Sequence, residues 1–235
     1  MNFYYDLHIH SCLSPCGDRD MTPNNIVNMA IILGQDIIAL TDHNSCKNCR
    51  ATVEVGNRHG ITVVPGMELC TSEEIHVICL FPDCDSAEAF EKYISSRMFH
   101  ITNRPDKFGE QLILNSDDEV VGEELFLLIT SADVSIENVT ALCAEYGGVC
   151  FPAHIDRTSM SIFSSLGIFP DHLGFKFAEL SYRHNIDDFI NNNSLPQDIT
   201  LLQSSDAHYL ENMAEKTHTI DLAKNSAKSL INKLK

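Results

Sequence analysis

The sequence contains no tryptophan and is short of cations: 16 Lys and Arg stand against 33 Asp and Glu, a formal charge of −17. A broad basic surface for a phosphate backbone is therefore absent, which disfavours long nucleic acid as a partner. No run of about 18 apolar residues occurs, so no membrane span is expected. The first residues lack both a basic n-region and an apolar h-region, and the chain reads as cytoplasmic. No internal repeat, low-complexity tract or Pro/Gly linker marks a boundary, so residues 1–235 read as one domain. Nothing in the sequence fixes an oligomeric state. What is present is an ordinary globular balance, 44% hydrophobic and 21% charged residues, with eleven histidines and nine cysteines.

Apolar runs of strand length alternate with helical patterns along most of the chain. Strands are expected at 3–8, 36–40, 61–69, 74–81, 149–153, 175–180 and 199–203. Helices are expected at 24–33, 49–59, 86–98, 136–146 and 223–234. Thr22 with Pro23 opens the first helix, and Gly60 closes the second. Residues 99–131 break the rhythm; 111–115 and 119–121 flank Ser116-Asp117-Asp118 as a candidate hairpin within an insertion. Repeated β-then-α order implies parallel strands covered by helices, and about seven units in this length favour a closed or nearly closed barrel.

The histidines are not scattered. Asp6-Leu7-His8-Ile9-His10 ends the first expected strand, and Thr41-Asp42-His43 the second. Glu68 follows Pro65-Gly66-Met67 at the end of the third, and His76 lies in the fourth. Pro152-Ala153-His154 and Ser205-Asp206-Ala207-His208 end two later strands. In a parallel barrel these ends converge on one face. His8 and His10, two apart on a strand, share a side, and Asp206 and His208 repeat that spacing. Imidazoles mixed with carboxylates suit Zn, Mn or Fe, and the number of donors fits two or three ions bridged by carboxylates. Cys12, Cys16, Cys46 and Cys49 fall in the first two loops, so a four-thiolate site is open on spacing alone. The remaining five cysteines read as core filler.

The ordered set from Asp6-Leu-His-Ile-His10 through Thr41-Asp-His43, Glu68, His76 and Pro152-Ala-His154 to Ser205-Asp-Ala-His208 resembles the PHP (polymerase and histidinol phosphatase) family of metal-dependent phosphoesterases. The resemblance implies a distorted (β/α)7 TIM-like barrel with a trinuclear centre at the strand C-termini. It implies that His8, His10, Glu68 and Asp206 hold one ion, His43 and His208 a second, and His76 and His154 a third, with Glu68 bridging. The family's aspartate after the HxH pair maps to Asp18, with Asp20 as the alternative, because residues 12–16 lengthen this loop. Asp6 and Asp42 are expected to orient histidines. The implied reaction is hydrolysis of small phosphomonoesters or phosphodiesters, such as nucleotides or sugar phosphates, by a hydroxide bridging two ions. Glu68, Asp206 and His208 are the catalytic candidates; Arg157, Arg183 and His184 are candidates for binding the phosphorylated substrate. The alternatives are a nuclease acting on short oligonucleotides and a non-catalytic metal-binding regulatory module. The 99–131 insertion is expected over the active-site face, where it would select substrates.

Overall fold

The computed structural model describes all 235 residues. Strand β1 (Asn2–Ile9) leads through helix α1 (Pro23–Leu33) to β2 (Ile37–Leu40), and α2 (Cys49–His59) leads to β3 (Thr62–Cys70); these three strands pair in parallel. Local chemistry sets the helix bounds. Thr22 Oγ1 accepts the Asn25 N–H at the start of α1, and Gly34 at φ 73° ends it. Strand β4 (His76–Leu80) follows, then α3 (Cys84–Ser95), capped by Asp83. Helix α4 (Pro105–Phe108) and strands β5 (Leu112–Leu114) and β6 (Val120–Glu123) make up the insertion, and the two strands pair antiparallel as the hairpin pattern suggests. The chain continues through α5 (Ile136–Glu145), β7 (Val149–Pro152), α6 (Ile162–Leu166), β8 (Phe177–Ser181) and α7 (Ile186–Asn192). It ends with β9 (Thr200–Ser204), β10 (Thr219–Asp221) and α8 (Ala227–Leu234).

The sheet order is β10-β1-β2-β3-β4-β7, with β8-β9 as a separate parallel pair. The two sheets abut at both edges: Ile155 N–H donates to Glu179 O (2.8 Å), and His10 N–H donates to Ala207 O (2.9 Å). The result is a curled α/β barrel of the distorted TIM-like kind. A cluster of sixteen buried residues, among them Tyr5, Leu7, Ile37, Val64, Ile78 and Phe151 and including Leu230, Ile231 and Leu234 of α8, forms one part of the core. A second cluster of 36 residues lies between the strands and α1, α2, α3 and α5. No helix is long and apolar enough to cross a membrane.

One expectation needs correction. The strands are not all parallel, because β4 runs antiparallel to both β3 and β7. The change of partner occurs within β3: Thr62–Pro65 pairs with β2, and Gly66–Cys70 with β4. A Cβ on Gly66 would stand 2.8 Å from the Cys79 carbonyl oxygen, so this close approach needs glycine. Glu68 therefore sits inside a strand rather than at its end. His76, the first residue of β4, still reaches the face formed by the C-terminal ends of its parallel neighbours, because its strand runs the other way.

The insertion packs against the loop after β1. Leu112 N–H donates to Cys12 O, Asn48 Oδ1 accepts from Leu114 N–H, and Thr22 and Asn24 bond to Asp118. Gly109 (φ 100°) is the tightest point, since a Cβ there would lie 2.0 Å from the Pro15 carbonyl oxygen. Gly109→Ala is expected to cost about 1–3 kcal/mol through strain and overpacking. At roughly 2–4 °C per kcal/mol for a chain of this size, a thermal melt reads it directly. An unchanged Tm would mean that the insertion does not dock on this loop.

Candidate metal centre

Six imidazoles and three carboxylates meet where the strand ends converge. Glu68, 1% exposed, lies at the centre. Its Oε1 is 3.2 Å from His8 Nε2, 2.9 Å from His76 Nδ1 and 3.0 Å from His154 Nε2. Its Oε2 is 2.9 Å from His43 Nδ1 and 3.4 Å from His10 Nε2. Asp206 Oδ1 faces His10 Nε2 at 3.0 Å and His8 Nε2 at 3.2 Å. The backbone aims these groups. Asn44, His154 and Asp206 all have positive φ (48°, 29° and 51°), a conformation that costs an L-residue energy and is over-determined here by bonds around it. Glu68 is held by main-chain bonds from its own N–H to Asp42 O and from the Asn44 N–H to its carbonyl.

The hydrogen bonds behind the histidines fix which nitrogen faces inward. Glu179 Oε1 is 2.9 Å from His8 Nδ1, and an ionised carboxylate only accepts, so Nδ1 carries a proton and the neutral, ion-binding form of the ring turns its Nε2 lone pair inward. Ser14 Oγ donates its single proton to Asp42 Oδ1 (2.7 Å), so it must accept from His10 Nδ1 (2.9 Å), and His10 Nε2 is bare as well. His208 Nδ1 donates to the Asp206 carbonyl at 2.9 Å, which leaves its Nε2 bare. Buried lone pairs thus converge on carboxylate oxygens. His43 Nδ1, Glu68 Oε2 and Asp206 Oδ1 find no hydrogen-bond partner despite these short separations. Acceptors facing acceptors in a dry site are costly, and cations relieve that cost. The spacing fits too: two donors each about 2.1 Å from one ion stand roughly 3.0–3.4 Å apart.

Three groups of donors have all their ligand atoms within 4.8 Å of one another: His8, His10, Glu68 and Asp206; His10, His43 and His208; and His43, Glu68 and His76. Without an ion, the carboxylates draw protons onto the imidazoles instead, and a metal ion binds in place of those protons. Burial opposes the ionisation of Glu68, yet His76, His8 and His43 hold its carboxyl well below the usual range. Asp206 is lowered in the same way, against its burial, by His8 and His10. His8 is raised well above an ordinary imidazole, against its burial, by Glu179, Asp206 and Glu68. His10 moves down because of burial and the neighbouring His208 and His43.

The other sequence candidates divide. Arg157 Nη1 reaches Asp206 Oδ2 at 2.6 Å and is about half exposed, so it stands at the mouth. Arg183 lies over the Tyr182 ring, 5.6 Å from its centroid, and His184 Nδ1 pairs with Asp156 Oδ2 at 3.2 Å. The carboxylates of Asp18 and Asp20 join none of the three donor groups; Asp18 touches His208 through its main chain and uses Oδ1 to accept the Asp20 N–H. Asp42 reaches His10 through Ser14. Asp6 accepts from Ser205 and Ala214 N–H and so anchors the loop that carries Asp206.

The four-thiolate possibility fails on placement. Cys46 and Cys49 turn their sulfurs to the Gly66 carbonyl, Cys12 faces Leu112, and Cys16 is exposed. The spacing suggested loop thiols, but Cys46 and Cys49 belong to the packing of α2 on β3. Two participants went unnoticed in the sequence, Glu179 and Ser14. The available signal for Glu179 was an acidic residue inside the apolar strand Phe177-Ala-Glu-Leu-Ser181.

Solved structures share this fold. Endonuclease Q from Pyrococcus furiosus superposes with a TM-score of 0.70 at 17% identity, covering 100% of this chain and 56% of that one. Endonuclease Q bound to a 27-mer duplex with an abasic lesion at its active site gives a TM-score of 0.63 at 19% identity, covering 88% of this chain and 49% of that one. An 81-residue stretch is 33% identical to the 5'-3' exoribonuclease Rnm of Salmonella typhimurium, covering 32% of this chain and 27% of the relative. The chain thus spans about half the length of endonuclease Q, and its match to Rnm about a quarter of that protein.

These relatives overturn the expectation that long nucleic acid is excluded. Net charge averages the whole surface and counts every carboxylate as repulsive to phosphate. Here several carboxylates are gathered where cations would offset them, and Arg157 and Arg183 stand beside them. The model of the PHP domain matches residues 6–229. From its matched length and its histidine-carboxylate cluster, the chain belongs to the PHP domain family of metal-dependent phosphoesterases.

Proposed function

We propose that the chain hydrolyses phosphodiester linkages of nucleic acid, using two to three divalent ions (Zn, Mn or Fe) held by His8, His10, His43, Glu68, His76, His154, Asp206 and His208. In this reading residues 1–235 form one hydrolase unit, and the 99–131 insertion flanks its mouth. The observation that carries the reading is the set of buried, unpartnered acceptors around Glu68, opening towards Arg157. Bound ions supply Lewis acidity, which lowers the pKa of water and neutralises phosphoryl charge. The chain itself does the positioning. Glu179 fixes His8, Ser14 and Asp42 fix His10, and Glu68 and Asp206 provide the negative charge that holds cations close together. His208, its Nδ1 proton committed to the Asp206 carbonyl, presents a lone pair and serves as a ligand rather than as an acid. Arg157 exchanges part of its contact with Asp206 for non-bridging phosphate oxygens, which its planar guanidinium meets two at a time.

The test is an end-labelled single-stranded oligonucleotide set against a 5'-mononucleotide, each with metal-loaded protein. Oligonucleotide cleavage that stops on chelation is expected. Arg157→Ala should lower kcat/KM for the oligonucleotide roughly 10- to 100-fold, the weight of one charged hydrogen-bond pair. Release of phosphate from the monoester alone would overturn the proposal.

A further inference from the structure

Two clefts flank Arg157. One, about 380 Å³, is lined by Tyr182, Arg183, Ser205, Asp206 and Asn212. The other, about 300 Å³, is lined by Ile155, Phe163, His184, Phe189 and Asn192. Arg157 is a wall of both, and its Nη1 lies 2.6 Å from Asp206 Oδ2. A phosphodiester seated against Arg157 and the carboxylate cluster therefore borders both clefts. Both volumes lie at the lower end of small-molecule sites.

The two clefts differ in chemistry. The one beside α7 has an aromatic wall: His184 meets Phe189 at 5.5 Å and 87°, and Phe189 meets Phe163 at 6.0 Å and 68°. Asn192 donates one Nδ2 proton to Asp188 O (2.7 Å) and leaves its Oδ1 at the exposed rim, and Asn185 Oδ1 accepts the Asp188 N–H at the start of α7. Exposed His184, braced edge-on by the buried Phe189, offers a ring face on which a nucleobase can stack, with Asn192 at the edge to meet the rim of the base. A bare sugar or alkyl group would gain little from it. The opposite cleft is polar, and its tyrosine is already engaged with Glu215 O and Thr217 Oγ1.

We infer that the cleft between Arg157 and α7 is a nucleobase subsite, so that the substrate is a phosphodiester carrying a nucleoside on that side. This rests on the phosphodiesterase reading above and assigns His184 to the base rather than to the phosphate. Its test compares a dinucleoside monophosphate with two analogues, each lacking one base. Loss of one of the two bases should lower kcat/KM of the metal-loaded protein by about five- to hundredfold, the weight of one stacked base. In His184→Ala and Asn192→Ala, both at exposed positions, that preference should fall towards one. The preference at the other base should stay as in the unsubstituted protein. An unchanged preference in both variants overturns the subsite. If the protein hydrolyses none of these esters with any metal, the same ratio is read from dissociation constants by calorimetry. A preference in binding that His184→Ala removes then supports the subsite while the hydrolase reading fails; no preference in binding overturns the subsite as well.

Discussion

Glu68→Gln is expected to abolish metal uptake at the shared positions and phosphoesterase turnover together, while the protein remains folded. The two oxygens of this carboxylate face five imidazoles within 3.4 Å, and Glu68 belongs to two of the three donor groups. Glutamine keeps the volume but removes the charge, and it turns an N–H₂ towards bare imidazole nitrogens. Loss of one such electrostatic element costs on the order of 10²–10³ in turnover, and a bridging ligand should cost at least that. A second readout is independent of catalysis. Metal at about a hundred times its Kd should stabilise the unsubstituted protein by about 2.7 kcal/mol, roughly 5–10 °C in Tm at this size. Glu68→Gln should lose most of that increment. Metal content, melting temperature and hydrolysis of bis-p-nitrophenyl phosphate check the three effects. A variant that keeps its ions and its turnover would place the chemistry elsewhere.

The parts of this site that could be read from the sequence are those in which chemistry and periodicity coincide. His8 and His10 share a strand face at a spacing of two, and the other histidines follow apolar runs of strand length. Period alone was enough to gather them on one end of a barrel. The direction of β4 was hidden, because a strand's residue pattern is the same whichever way it runs; only the short turn of residues 71–75 after β3 hinted at a hairpin. Glu179 was hidden for another reason. Its value lies in a partner 171 positions away, and a single acid in Phe177-Ala-Glu-Leu-Ser181 is silent until the barrel closes. Asp18 is selected by counting back from Thr22-Pro23, and its carboxylate is a member of none of the three donor groups. Whole-chain charge was the weakest guide, since it cannot separate carboxylates that repel phosphate from those that gather cations.

Glu179 is where the second large effect is expected. Fully buried at the barrel wall, it accepts from His8 Nδ1 at 2.9 Å and from the His154 N–H at 3.1 Å through the same oxygen. One side chain thereby sets the tautomer of one imidazole and holds another residue in its left-handed conformation. Glu179→Ala leaves both donors buried without a partner, at about 1–3 kcal/mol for each unmet group. The metal-free variant should therefore melt several degrees lower. Its metal affinity should fall roughly 10- to 100-fold, as when the hydrogen-bond partner of a metal-bound histidine is removed. Glu179→Gln separates the two roles, because its amide oxygen can still accept from His154 and His8 while the charge is gone. It should recover most of the melting temperature and only part of the metal affinity. A merely structural residue would recover both or neither. Calorimetric titration with Mn and Zn beside thermal melts of the metal-free proteins distinguishes these outcomes. Wild-type affinity in Glu179→Ala would remove Glu179 from any role in positioning His8.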